Sequence, residues 1–144
     1  MRSQRYCSED GFNYVIPHTI ENNTQARERY IRSMQYIQQE YEKLQELGIA
    51  NEDARYILPN ACETILEVKM NGRELIHVMN ERLCTRAQWE IRSLANKMKD
   101  LCVEKLPVVF KDCAFGEPRC IQNGGFCTEH MCCGKAPKLK DIIK

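Results

Sequence analysis

The stretch MNGRELIHVMNERL, residues 70–83, decides how the second half of this chain folds. Wound as a helix at about 100° per residue, it collects its apolar side chains on one side. These are Leu75, Ile76, Val78, Met79 and Leu83. Arg82 falls in the middle of that side, and a guanidinium cannot lose its proton. If the side is buried, we expect Arg82 to meet an anionic ligand, or Glu90 or Glu42 of the chain itself.

Cap signals predict two helices in the first part of the chain. Asn22 followed by Gln25 resembles a capping box, and it predicts the start of a long helix with 3.6-residue apolar spacing. Gly48 predicts the end of that helix. Asn51 predicts a short helix that must finish before Pro59.

The same signals predict two further helices. Asn71 with Glu74 marks the start of the helix quoted above. Thr85 with Gln88 predicts the start of the next helix, which runs to Pro107. Beyond Pro107 the content of Gly, Pro and Cys predicts little regular structure.

Between the helices, more apolar and more polar side chains alternate along residues 62–70, CETILEVKM. This alternation predicts a strand. Thr64, Leu66, Val68 and Met70 would share one of its faces. The predicted fold class is therefore α+β: a mainly helical fragment with a long N-terminal helix and one short strand.

Length and charge limit the classes of function. With 144 residues, we expect one domain over residues 1–112 and a Cys-rich tail over residues 113–144. Lys and Arg number 21 against 20 Asp and Glu, so no overall field attracts nucleic acid or an anionic membrane. No apolar run resembles a signal peptide or a membrane helix. We expect a soluble, cytoplasmic protein with neither nucleic acid nor membrane as a partner.

Three arginines and one histidine form a candidate anion site. Arg73 and His77 lie one helical turn apart, with Arg82 nearly opposite them. Arg55 ends the short helix before the predicted strand. Such side chains beside a helix start could hold phosphate, because Arg offers two parallel donors and the helix adds oriented N–H groups. The alternative is that Arg73 and His77 are simply a solvated surface.

The nine cysteines are an odd number and are concentrated near the C-terminus. The candidate metal ligands of the tail are Cys113, Cys120, Cys127, His130, Cys132 and Cys133. Their spacing, C-x6-C-x6-C-x4-C-C, lacks the C-x2-C pairs of zinc modules. We therefore expect free thiols and no metal, with a zinc-binding module as the alternative. Cys62 and Cys84 are interpreted as packing residues.

The run ARYILPNACETILEVKMNGRELIHVMNERLCTRAQWEIR, residues 54–92, closely resembles the C-terminal half of flavin-dependent thymidylate synthase, also called thymidylate synthase complementing protein. Its most specific parts are ARYILP, the MNGREL helix start and the spacing from Arg82 to AQWEIR. The similarity extends over about residues 3–112. The resemblance implies the C-terminal part of that family's α/β fold.

It also implies an enzyme that methylates dUMP to dTMP with FAD, NADPH and methylenetetrahydrofolate, in a homotetramer with active sites between subunits. Arg82 matches the catalytic arginine placed against the uracil ring, where a fixed charge polarises the ring. The residues that match dUMP-binding positions are Ser3, Gln4, Arg5, Arg55 and Arg82. The residues that match FAD-contacting positions are Asn71, Gly72, Arg73 and His77, with His77 standing where other members often carry asparagine.

One part of the family pattern is not matched. The hallmark motif reads Arg-His-Arg, then Ser, then Asn-Glu-x-Ser-x-Arg-Tyr, and this sequence begins at its end with Ser3, Gln4, Arg5 and Tyr6. Met1 stands where the glutamate belongs. We expect either an N-terminally truncated member or a degenerate one that serves as a non-catalytic helical scaffold. In both cases self-association through the helices is expected.

Overall fold

The computed structural model describes residues 11–111, 117–122 and 124–142. The chain divides into two compact units, Met1–Val68 and Lys69–Lys144. The described residues are mainly helical, which agrees with the predicted helical fragment. None of the described helices is both long and apolar enough to cross a membrane.

One long helix dominates the first unit. Its helical elements are α1 (His18–Glu21), α2 (Thr24–Glu46), α3 (Asn51–Ala54) and a 3₁₀ turn (Arg55–Ile57). Met34 and Tyr41 of α2 are buried, together with Phe12 and Ala54. The helix buries only these few side chains because most of its length is polar, so a single apolar stripe faces the core.

The extended segment before α1 is attached to α2 by polar and aromatic contacts. The backbone N–H of Phe12 donates to Gln38 Oε1 at 3.1 Å. The Tyr30 hydroxyl donates to the Val15 carbonyl oxygen at 2.9 Å. The Tyr14 and Tyr30 rings meet edge to face, with their centroids 6.1 Å apart. These contacts attach the segment to α2, and its backbone also bonds to residues 61–63.

The predicted boundaries of the first helices need two corrections. The N-cap of α2 is Asn23, whose side chain accepts the Ala26 N–H at 3.0 Å, and not Asn22, which ends α1. The N-cap of α3 is Ala50, which has no side-chain acceptor, and not Asn51. Gly48 follows the end of α2 with a φ of 76°, a conformation that glycine adopts without strain, so that prediction is confirmed.

The predicted strand over residues 62–70 is not confirmed, and neither is the α+β class. Cys62 and Tyr14 form an isolated antiparallel bridge, with the Glu63 N–H bonded to Asn13. Beyond that point no described residue pairs with the segment, and Leu66 and Val68 are exposed. Alternation alone cannot make a strand, because its backbone groups need a neighbouring strand.

The second unit is built from two longer helices and three short ones. They are α4 (Gly72–Arg82), α5 (Trp89–Lys105), α6 (Pro107–Phe110), α7 (Arg119–Gln122) and α8 (Leu139–Ile142). The start of α4 is confirmed, since Asn71 Oδ1 accepts the Glu74 N–H at 2.9 Å. The helix after it starts later than predicted. Gln88, rather than Thr85, caps α5 by accepting the N–H groups of Glu90 and Ile91.

The core of the second unit joins α4, α5 and α6. Its buried members are Met79, Leu83, Ala95 and Phe110. Half-buried side chains pack around them, namely Leu75, Ile76, Met98, Cys102 and Val103. Met79 is completely buried, which corresponds to about 1.5 to 3 kcal/mol of transfer free energy. The apolar side of the opening stretch therefore does form a core.

The corrected cap of α2 can be tested with two adjacent asparagines. Asn23→Ala removes the acceptor of the Ala26 N–H, so we expect the free energy of unfolding to fall by about 1 kcal/mol. Asn22→Ala is the matched control, and we expect a change of less than about 0.5 kcal/mol. Urea unfolding monitored by circular dichroism measures both. A larger loss for Asn22→Ala would restore the cap predicted from the sequence.

Candidate functional site

The start of α4 leaves backbone donors available. Asn71 uses its side-chain oxygen to accept the Glu74 N–H. The first N–H groups of a helix have no intrahelical partner, so those of Gly72 and Arg73 remain suited to an anion. A Cβ added at Gly72 would meet nothing nearer than Phe110 Cζ at 4.0 Å. The fold therefore does not require glycine at this position.

Arg73 and His77 lie on one exposed face of α4. They are four residues apart, so their side chains stack one turn above the other. Both residues are exposed, and the described residues form no ion pair with either of them in the structure. Together with the free N–H groups at the helix start, they make one end of α4 a cationic, hydrogen-bonding surface.

Arg82 is exposed, which corrects the expectation that it lies in the middle of a buried side. The core is centred on Met79 and Leu83, and at 100° per residue Arg82 is displaced about 60° from the first and 100° from the second. It therefore borders the buried stripe. Within the second unit no described residue forms a hydrogen bond or ion pair with it, so Glu90 is not its partner.

Arg82 is the last residue of α4, so its charge lies at the negative end of the helix dipole. A cation at a helix C-terminus interacts favourably with the macrodipole, by about 0.3 to 1 kcal/mol at an exposed position. Arg73 is nine residues away, about 13.5 Å along the axis and on the opposite side. The helix thus presents two separate cationic groups, which could face two different ligands.

The remaining predicted residues belong to the first unit. Arg55 is half-buried in the 3₁₀ turn of the first unit. Ser3, Gln4 and Arg5 lie outside the described residues. Their predicted roles in binding dUMP therefore stay predictions.

A small cavity in the second unit is lined by five thiols, a grouping that the sequence does not predict. Its volume is about 30 Å³, and the cysteines are Cys84, Cys120, Cys127, Cys132 and Cys133. The sequence predicts Cys84 to be a packing residue, but it lies outside the apolar core and lines this cavity instead. The only indication of this grouping in the sequence is that Cys84 directly follows the C-terminal end of the predicted helix.

The tail reaches this cavity through α7, which packs on α4. Arg119 Nη1 forms an ion pair with Glu81 Oε1 at 3.2 Å. Gln122 donates a hydrogen bond to the Asn80 side chain. His130 is exposed and does not line the cavity, although its carbonyl oxygen accepts a hydrogen bond from Lys138 Nζ at 2.7 Å.

Comparison with known proteins identifies relatives along most of the chain. The family model described as thymidylate synthase complementing protein matches residues 1–108. The chain is 39% identical to the flavin-dependent thymidylate synthase of Clostridium tetani, over 98% of this chain and 61% of the relative. It is 41% identical to that of Geobacter sulfurreducens, over 99% of this chain and 61% of the relative.

An archaeal relative gives a similar result. The flavin-dependent thymidylate synthase of Pyrococcus abyssi is 40% identical over 89% of this chain and 54% of its own length. The chain thus spans less than two thirds of the length of these relatives. The match extends from the first residues through α4 and α5, which contain the candidate site. The chain belongs to the thymidylate synthase complementing protein family.

Proposed function

We propose that this chain provides the C-terminal part of the active site of a flavin-dependent thymidylate synthase. The reaction is methylation of dUMP to dTMP, with methylenetetrahydrofolate as the carbon donor and FAD with NADPH as the source of the hydride. The observation that carries the proposal is the exposed position of Arg82 on α4, without an ion-pair partner among the described residues. A cation held there by a packed helix is available to a ligand.

The role proposed for Arg82 is electrostatic. A fixed positive charge beside a carbonyl oxygen of uracil polarises the ring. This makes the ring carbon that receives the methyl group a better nucleophile. Preorganised groups of this kind contribute about 3 to 4 kcal/mol to transition-state stabilisation in other enzymes. This role is supported by the burial of Met79 and Leu83, on either side of Arg82, which fixes the end of the helix.

FAD would bind toward the N-terminal end of α4, on the face opposite Arg82. Asn71, Gly72, Arg73 and His77 are the residues proposed to contact it, and all four are exposed. The open space at Gly72 permits close approach to the backbone, and Arg73 offers planar donors suited to phosphate. Bound flavin supplies hydride transfer, while the protein positions and polarises.

The nucleotide would be held by residues outside the second unit as well as by Arg82. Arg55 is proposed to bind dUMP, and so are Ser3, Gln4 and Arg5. An arginine is suited to the nucleotide phosphate because its planar group donates two parallel hydrogen bonds. Cys62 and Cys84 have no proposed part in the chemistry.

Self-association into a homotetramer is part of the same proposal. Several large apolar side chains are exposed, and Val108 and Tyr56 are the most exposed, at 95% and 90%. Large apolar surface that remains exposed on a single chain marks an interface. Light scattering on the purified chain should give the molar mass of four chains, and a monomer at micromolar concentration would contradict this part of the proposal.

The test of Arg82 uses a chimera, because the chain spans only part of its relatives. In the chimera, this chain replaces the matching 61% of the Geobacter sulfurreducens protein. We expect Arg82→Ala to reduce dTMP formation by about 10²- to 10³-fold, since the polarising charge is lost. Arg82→Lys should retain only part of the parent rate of dTMP formation, because a point charge does not reproduce the planar guanidinium group.

The controls separate chemistry from folding. Because Arg82 is exposed, its replacement should change the free energy of unfolding by less than about 0.5 kcal/mol. Arg27→Ala, which breaks an exposed ion pair with Glu21 on the first unit, is the matched arginine control and should leave turnover unchanged. Normal turnover in Arg82→Ala would disprove the catalytic role. A folded chimera that binds flavin without turnover would favour the scaffold alternative.

Gly72→Ala tests the flavin surface. An added methyl group makes only an ordinary contact at 4.0 Å with Phe110, so the free energy of unfolding should stay the same or rise slightly. If FAD approaches the backbone here, the same variant should purify with less flavin, measured by absorbance after denaturation. Gly48→Ala is unsuitable as a control because of its positive φ, and Ser93→Ala on exposed α5 surface serves instead. Unchanged flavin content in Gly72→Ala would contradict the proposed contact.

A further inference from the structure

Helix α5 carries exposed apolar side chains beside the side that forms the core. Ala95 is the buried member of α5 in that core. At about 100° per residue, Leu94 and Leu101 lie roughly 100° and 120° away from Ala95 in the same direction. They are seven residues apart and therefore lie almost directly one above the other. About half of each remains exposed, 50% of Leu94 and 56% of Leu101. We call this pair the α5 stripe.

Two more exposed apolar side chains follow directly after the stripe. Leu106 caps the end of α5, and Val108 belongs to α6. Phe110 of α6 is buried in the core, so this short helix is held in place beside the end of α5. Single exposed apolar side chains are ordinary on a protein surface, but a group of them on packed helices marks a contact surface.

One edge of the α5 stripe carries charges of alternating sign. Glu90, Lys97 and Glu104 follow one another at intervals of seven residues, about 10.5 Å along the helix. Within the described part of the second unit, neither Glu90 nor Lys97 forms an ion pair. Glu104 is paired only with the adjacent Lys105, at 2.7 Å, and both side chains are exposed, so that pair is weak. The edge is therefore free to meet an edge of opposite sign.

We infer that the α5 stripe is an interface with a second copy of this chain, in which the two α5 helices run antiparallel and meet at Leu101. A two-fold axis perpendicular to both helices places the same charged edge of each on the same side. With Leu101 against Leu101 of the second copy, Lys97 comes beside Glu104 of that copy, and Glu104 beside its Lys97. Leu94 then lies level with Val108 of the second copy, so apolar side chains meet along the whole contact.

The charges name both the occupant and its direction. The order of signs along the edge is reversed in an antiparallel copy, which gives two pairs of Lys97 with Glu104 by symmetry. In a parallel pair each residue would lie level with its own copy, and Lys97 would have no carboxylate beside it. Complementary charges of this kind fix the register and orientation of an interface more than its affinity.

The affinity would come from the apolar centre. Ala95 and Met98 already pack in the core, so α5 is ordered before association and little conformational entropy is lost on binding. Lys105 lies near Met98 of the second copy in this register, where its methylene groups can cover the apolar edge. The inference names one interface of the self-association proposed above and rests on that part of the proposal alone, because neither FAD nor turnover enters its test.

Sedimentation equilibrium of the whole chain tests the interface. Leu101→Lys places a charge at the centre of the contact, so we expect the dissociation constant to rise by more than about 10-fold and the number of associated chains to halve. Leu47→Lys, at an exposed leucine of the first unit, is the matched control and should associate like the parent. Because Leu101 is exposed, circular dichroism should show the same helix content in every sample.

The outcomes separate this interface from the tetramer as a whole. A parent tetramer that persists unchanged in Leu101→Lys would overturn this inference and leave the tetramer standing. A parent dimer that Leu101→Lys dissociates would support the interface and contradict the tetramer. A parent that is monomeric at all concentrations would overturn both.

Disulfide trapping tests the direction of the helices. With oxidised glutathione as the oxidant, Leu101→Cys should form a covalent dimer through that position, because it meets its own copy at the two-fold axis. Leu94→Cys should not, since its own copy lies 13 residues further along, about 20 Å away, and a disulfide needs Cα atoms within about 7 Å. The parent measures the background from native cysteines, and mass spectrometry maps the linkage. A parallel pair would link both variants, and linkage through Leu94→Cys would therefore disprove the arrangement.

Charge reversal tests the register. Lys97→Glu and Glu104→Lys each place like charges beside one another, so both should weaken association several-fold at low salt. The double variant restores opposite charges and should return to within about two-fold of the parent dissociation constant. Lys43→Glu on α2 carries the same change of charge away from the stripe and should associate like the parent. A double variant that is as weak as the two single variants combined would overturn the pairing of Lys97 with Glu104.

Discussion

The packing of α4 against α5 and α6 is the interaction on which the second unit depends. Met79 and Leu83 of α4, Ala95 of α5 and Phe110 of α6 form its buried centre. α4 has only 11 residues, too few for a stable isolated helix, so this contact and the Asn71 cap hold it in place. The candidate site residues Asn71, Gly72, Arg73, His77 and Arg82 take their positions from α4 and its N-cap.

Arg82 shows how a core can position a charge without burying it. The buried stripe is narrow, because it is centred on Met79 and Leu83, and a residue 60° to 100° away borders it. Arg82 therefore avoids the cost of desolvating a guanidinium, and the described residues leave its donors unengaged. Its backbone is nevertheless held by the neighbouring buried side chains. An exposed but well-fixed cation is what electrostatic polarisation of a substrate needs.

The tail is joined to the same helix by weaker contacts. The exposed pair of Arg119 with Glu81 contributes little in water, where such pairs are worth at most about 1 kcal/mol. The hydrogen bond from Gln122 to Asn80 adds a second contact. Few buried apolar residues support this region, namely Cys127 and Ala136.

The sequence by itself determined the helices whose signals are local. The apolar period of residues 70–83 and the Asn71 cap predicted α4, and Gly48 marked the end of α2, because each signal acts within one or two turns. The motifs around MNGREL also indicated the family. The tertiary structure decided the rest: residues 64–70 lack a described strand partner, Arg82 borders the core, and Cys84 meets the tail. These outcomes depend on which distant segments come into contact, and neither periodicity nor spacing along the chain specifies such contacts.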